Sequence, residues 1–190
     1  MFKRFSLAVL GLSVTTAPAL AHLNPAEHGS FMAGASHPVF GADHILAMVA
    51  VGLWAAQIGG KARLIVPAAF VSVMMAGYVL ALYGVTLPFV EPAILASVIG
   101  LGLLVALAAK PPVWASAGAV SLFALFHGSA HGGELGSAAG LTFGLGFALT
   151  TALLHVGGIG LGTLASRHAG TLTRILGLAT ALGGGYLAFA

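Results

Sequence analysis

The first group of side chains able to do chemistry is His37, Asp43 and His44, within the segment HPVFGADH. Proline at its second position is typical of a helix start, and in a helix His44 shares a face with Met48, four residues later. A carboxylate inside a bilayer is costly unless it meets a cation, a histidine or water. Contact with the helix dipole would account for Asp43 alone but not for two neighbouring histidines. The group therefore predicts a metal site, with Met48 as a further candidate ligand.

The second group follows an apolar run in the segment FHGSAHGGE, where His127 and His131 are four residues apart and Glu134 comes three later. Two imidazoles on one helix face can hold one ion, and a third donor one turn on raises the coordination number. An outer loop in which polar residues meet solvent is the alternative for Glu134, but it explains the deeper His127 poorly. The peptidase pattern HExxH has a different spacing, so peptidase chemistry is excluded.

Three further histidines leave two interpretations open. His155 stands alone in a long apolar stretch, where it is either a packing residue bonded across helices or an inner ligand or proton acceptor on a pathway. His22 and His28 precede the first predicted membrane span, which begins near residue 38, and form either a metal-capturing tail or a solvated one.

The composition places the chain in a bilayer. Hydrophobic residues make up 59% and charged residues 6%, a balance that no soluble domain of this length keeps in water. The absence of cysteine excludes disulfides, thiolate zinc sites and iron–sulfur clusters. The formal charge of +3 is not organised into a basic stripe with aromatic residues, so no nucleic-acid partner is expected. No phosphate loop of the form GxxxxGK[ST] occurs, so the chain is not expected to hydrolyse ATP or to be an enzyme.

Residues 1–21 are predicted to be a cleaved signal peptide. Lys3 and Arg4 precede an apolar run, and Ala19-Leu20-Ala21 is a small-x-small cleavage pattern. An uncleaved first membrane helix is the alternative, but the apolar core is short for a span. Cleavage leaves residues 22–190 as one transmembrane domain with its mature N-terminus in the periplasm.

The remaining chain is predicted to be an all-α, polytopic membrane helix bundle of about six transmembrane helices. Each span needs about twenty apolar residues, and Gly, Pro and charges divide the chain into spans at 38–58, 62–83, 89–109, 112–131, 137–165 and 171–189. With the N-terminus outside, the positive-inside rule is satisfied, because these residues all fall on the cytoplasmic side: Lys61, Arg63, Lys110, Arg167 and Arg174.

Glycines four residues apart, as at Gly140/Gly144 and Gly158/Gly162, predict helices whose backbones approach closely. The runs Gly157-Gly158 and Gly183-Gly184-Gly185 permit a second interpretation, in which they loosen helices along a pathway. The sequence pattern does not separate these two uses.

The chain resembles the HupE/UreJ family of small membrane proteins along its whole length. The most specific likeness is between residues 37–55 and the family block HPxxGxDHxLAMxxVGLWA, and the FHGSAHGGE segment is similar to the family's second histidine motif. The resemblance implies a nickel or cobalt permease of the bacterial inner membrane, linked indirectly to hydrogenase or urease maturation. It implies these functional residues: His37, Asp43, His44, His127, His131 and Glu134.

These observations predict a secondary or passive permease whose substrate is Ni²⁺ or Co²⁺. No organic cofactor is expected, and the sequence is compatible with a homo-oligomer. The outer ends of the first and fourth spans would form one partly hydrated site, and the ion would pass inward beside His155. Two alternatives remain. His44 and His127 could ligate haem iron axially in an electron-transfer protein, or the chain could be a metal sensor or assembly partner without transport.

Overall fold

Seven helices form the structure, a computed structural model that describes residues 31–132, 140–166 and 170–190. Within these ranges no strand occurs, so the predicted all-α class is confirmed. The predicted signal peptide, His22, His28 and Glu134 lie outside the described residues. The helices are α1 Phe31–Phe40, α2 Ala42–Ile58, α3 Ala62–Leu82, α4 Val90–Ala106, α5 Val113–Gly132, α6 Gly140–Ala165 and α7 Thr171–Phe189.

Among the described residues, four helices (α3, α5, α6 and α7) are long and apolar enough to cross a membrane. Helices α1 and α2 meet these criteria together but are bent by 84°, so they form a broken span or a re-entrant segment. Helix α4 is apolar and has 17 residues, close to the length that a span requires. The predicted span 38–58 thus covers the end of α1 and all of α2, and Pro38 lies inside α1 rather than at a helix start.

The break between α1 and α2 occurs at Gly41, which has an extended backbone (φ −93°, ψ 116°). Its carbonyl accepts the first hydrogen bond of α2, from Ile45 N at 3.0 Å. A Cβ at Gly41 would lie 2.8 Å from Asp43 Oδ1 and 3.1 Å from His44 Nδ1. Glycine is therefore needed for space, since any side chain here would press on the two polar groups that open α2.

Close backbone contact at glycines joins the helices in pairs. A Cβ at Gly52 of α2 would overlap the backbone of α6, and a Cβ at Gly128 of α5 would overlap the backbone of α3. Such contacts stabilise helix pairs in a bilayer, where lipid gives no hydrophobic drive for association. The glycine runs at 157–158 and 183–185 lie inside α6 and α7, neither of which is interrupted there. Within these runs a Cβ at Gly158 or Gly184 would press on a neighbouring helix, whereas a Cβ at Gly157 or Gly185 would meet nothing within 4 Å.

Adjacent glycines of α6 offer a matched test of this packing. A Cβ at Gly158 would overlap the carbonyl of Val49 in α2, whereas a Cβ at Gly157 would meet nothing within 4 Å. We expect Gly158→Ala to lower the stability in detergent by about 1–3 kcal/mol because it overpacks a backbone contact. Gly157→Ala should raise stability by up to about 1 kcal/mol through helix propensity. Thermal unfolding of the two variants would contradict the packing scheme if their midpoints were equal.

Candidate metal site

Four imidazole rings meet in the described part of the chain at one end of the bundle. They belong to His37 of α1, His44 of α2, and His127 and His131 of α5. The ring centroids are 4.2 Å apart for His37 and His131, 4.9 Å for His44 and His131, and 5.1 Å for His44 and His127. We call these four residues, with Asp43, the histidine cluster. It joins the two sequence segments that were predicted to form one site.

A chain of hydrogen bonds runs from Asp43 through His44 to His131. Asp43 Oδ1 lies 3.1 Å from His44 Nδ1, and because an ionised carboxylate only accepts, His44 donates through Nδ1–H. This leaves a lone pair on His44 Nε2, which lies 2.9 Å from His131 Nε2. In the arrangement that satisfies both contacts, His131 donates through Nε2–H. Its Nδ1 is buried without a hydrogen-bond partner among the described residues, so it retains a lone pair.

His127 is oriented by Ser97 of α4, a residue that the sequence reasoning missed. Ser97 Oγ lies 2.6 Å from the carbonyl of Ile94 and 2.9 Å from His127 Nε2. A hydroxyl has one proton, and the carbonyl can only accept it, so His127 donates to Ser97 through Nε2–H. Its Nδ1 has no partner in the described ranges. The only signal in the sequence was a lone serine inside an apolar helix, which does not by itself indicate a partner.

The aromatic rings of Phe143 and Phe147 pack against the histidine cluster. The ring of Phe147 lies 5.1–6.1 Å from those of His37, His44 and His131, and Phe143 lies 5.7 Å from His37. His44 is 5% exposed and His127 is fully buried. Asp43, whose side chain is 25% exposed, is therefore on the solvent-accessible side of the cluster.

The spacing of His44 and His131 suits two ligands of one metal ion. Nitrogen ligands about 2.0–2.1 Å from an ion and at right angles to each other lie about 2.9 Å apart, and the two Nε2 atoms are 2.9 Å apart. Nevertheless, as placed in the described residues, no three His, Asp or Glu side chains are arranged to hold an ion. An ion would have to displace the proton between the two nitrogens, and a further donor would have to turn towards it.

The other candidate residues lie apart from the histidine cluster. Met48 is fully buried one turn inward from His44 on α2. His155 of α6 contacts Phe70, whose ring also contacts His127, with centroids 5.1 and 5.7 Å apart. A cavity of about 220 Å³ beside α3, α4 and α5 is lined by none of the imidazoles. His22, His28 and Glu134 lie in segments that the structure does not describe.

An apolar helix bundle that brings imidazoles and a carboxylate together at one end is typical of a multi-pass membrane protein with a polar site. The chain belongs to the HupE/UreJ family, as a family model described as HupE / UreJ protein matches residues 10–187. Protein HupE of Rhizobium leguminosarum bv. viciae is 46% identical to it over 187 residues, which cover 97% of this chain and 98% of the relative. The predicted resemblance is thereby confirmed. No solved structure matches the chain.

The role of Ser97 can be tested through the ring nitrogens of His127. We expect ¹⁵N NMR of histidine-labelled protein to show His127 protonated at Nε2, with its signals changed by Ser97→Ala. Loss of the buried acceptor should also cost about 1–3 kcal/mol of stability. Ser116→Ala is the control, since Ser116 is a buried serine that bonds only to the carbonyl of Pro112. A wild-type His127 protonated at Nδ1 would refute this hydrogen-bond assignment.

Proposed function

We propose that the chain is a secondary or passive permease that imports a divalent transition metal, Ni²⁺ or else Co²⁺, across the bacterial inner membrane. Membership of the HupE/UreJ family supports this proposal, and metal supply to hydrogenase or urease maturation is the role it would serve. The observation that carries the proposal is the 2.9 Å separation of His44 Nε2 and His131 Nε2 beside Asp43. These are two imidazole nitrogens at ligand spacing, and a carboxylate orients the first of them.

The donor set fits a borderline dication. Imidazole nitrogen and carboxylate oxygen suit nickel and cobalt, whereas copper(I) calls for thiolate or clustered thioether ligands, and the chain contains no cysteine. Two of the rings, those of His127 and His131, have a buried Nδ1 without a partner in the described chain. A buried polar atom without a hydrogen-bond partner destabilises the folded protein. A cation bound to such an atom would remove that cost.

In the proposed path, the ion approaches from the periplasm past Asp43 and His37, the more exposed members of the histidine cluster. It replaces the proton shared by His44 Nε2 and His131 Nε2, and this proton moves to the unpartnered Nδ1 of His131, so that the ring stays neutral. Asp43 acts by accepting from His44 Nδ1–H, which holds the Nε2 lone pair towards the ion. Glu134, three residues after His131 in the sequence, would add a carboxylate. Few strong ligands allow the ion to leave again, as conduction requires.

The packing does not favour the haem alternative. Axial ligation places two imidazoles on opposite faces of a planar macrocycle. The rings of His44 and His127 are instead 5.1 Å apart, and His44 also bonds to His131 and contacts Phe147. A sensor or assembly partner remains a distinct rival, because it would bind the metal without moving it.

The proposal is tested by Ni²⁺ and Co²⁺ uptake into proteoliposomes. His44→Ala removes a ligand, and Asp43→Asn removes the charge that orients it, so each should lower uptake by about 10–100-fold. Ser36→Ala is the control because Ser36, beside His37, donates to the carbonyl of Ala33 within its own helix. Wild-type rates in both cluster variants would defeat the proposed site. Metal binding without any flux in the wild type would favour the sensor.

Gly41→Ala tests the same geometry without removing a donor. The added Cβ would press on Asp43 Oδ1 and His44 Nδ1, which are movable side-chain atoms, so the protein should still fold. We expect uptake to fall about tenfold because the carboxylate no longer orients the imidazole. Gly118→Ala on α5, where a Cβ meets nothing within 4 Å, should leave uptake unchanged. Equal uptake in the two variants would argue against a role for the Asp43–His44 pair.

A further inference from the structure

His155 is buried in the bundle with its hydrogen-bonding capacity unused. It is fully buried on α6, and neither ring nitrogen has a hydrogen-bond partner among the described residues. A lone histidine in a membrane helix is ordinarily bonded to a neighbouring helix, and a buried polar group left unpaired is destabilising. Packing alone therefore does not account for an imidazole at this position.

The ring lies inward of the histidine cluster and is separated from it by one aromatic side chain. Phe70 of α3 contacts His127 on one side and His155 on the other, at centroid distances of 5.7 and 5.1 Å. Gly52 of α2 packs on the backbone of His155. Gly52 follows His44 by eight residues on the same helix. The backbone of His155, which packs beside Gly52, is therefore displaced from His44 by roughly 12 Å along the axis of α2.

Two more donor atoms lie one helical turn outward of His155. Thr151 precedes His155 by four residues on α6, and Met74 follows Phe70 by four on α3. Because the two helices run antiparallel, Thr151 faces Met74 one turn away from the contact of His155 with Phe70. Thr151 Oγ1 donates a hydrogen bond to Met74 Sδ at 3.7 Å. Both residues are fully buried. The contact is a weak hydrogen bond, so the sulfur and the hydroxyl oxygen remain available to a cation.

We propose that His155, with Met74 and Thr151, forms an inner station that binds the dication after it leaves the histidine cluster. The station presents an imidazole nitrogen, a thioether sulfur and a hydroxyl oxygen, a set that suits borderline transition metals and not Mg²⁺ or Ca²⁺. Movement of the Phe70 ring would connect the two stations. The inference rests on the proposed transport function and gives the ion a second position along the path.

The test compares His155→Leu with His155→Met in the full chain, measuring Ni²⁺ uptake into proteoliposomes and thermal stability in detergent. Leucine removes an unpaired polar group, so His155→Leu should match or exceed the wild type in stability. Its uptake should nevertheless fall about tenfold or more, and methionine, which supplies a sulfur donor, should restore part of it. Met74→Leu should lower uptake at unchanged stability. Thr180→Val on α7, whose buried hydroxyl bonds within its own helix to the carbonyl of Leu176, is the control.

The outcomes separate the inner station from the transport function. Wild-type uptake by His155→Leu, together with lost uptake by His44→Ala, would overturn the inner station alone. Unchanged uptake in both variants would overturn the transport site as well. Unfolding of both His155 variants would also overturn the station, because it would identify the ring as a packing residue.

Discussion

The bond between Asp43 and His44 is the interaction on which the rest of the site depends. A carboxylate near a bilayer is tolerated when it is paired or hydrogen-bonded, and here the imidazole of His44, 3.1 Å away, donates the hydrogen bond. The bond fixes which nitrogen of His44 carries the proton. It thereby directs the lone pair of Nε2 at His131, 2.9 Å away. One local hydrogen bond thus sets the donor pattern across two helices.

Glycine packing makes this convergence possible. Successive residues of a helix point about 100° apart, so α5 presents alternate faces to different neighbours. Gly128 and Gly132 face the backbone of α3, while His127 and His131 face the rings of α1 and α2. The residues that bring the helices together are therefore adjacent in sequence to those that carry the chemistry. Gly41 contributes differently, since it leaves space beside Asp43 and His44.

Unpaired nitrogen atoms trace the path that we propose. His127, His131 and His155 each have at least one ring nitrogen buried without a partner in the described chain. In a bundle whose other polar groups mostly bond to backbone carbonyls, such atoms are costly and lie where a cation is expected. Phe70, which contacts both His127 and His155, divides the series into an outer and an inner part. This division separates ion capture from inward passage.

The sequence by itself determined the membrane class, the helical fold and the residues capable of chemistry, because hydropathy, charge and motif spacing are local properties. It also predicted that the segments around His44 and His127 would meet. The sequence did not predict the break at Gly41. A glycine in an apolar run gives the same pattern whether it allows close helix packing, a bend in the helix or space for a neighbouring side chain. Glu134, His22 and His28 lie outside the described residues, so their roles stay predictions.

Only the tertiary structure decided the hydrogen-bond partners. Ser97 and His127 are 30 residues apart and His44 and His131 are 87 apart, and no local pattern encodes which proton is shared over such distances. The sequence likewise did not show whether His155 has a hydrogen-bond partner. A histidine in an apolar helix is bonded or unpaired depending on which side chains the neighbouring helices place beside it. Helix packing sets those contacts, and the donor atoms available to an ion follow from them.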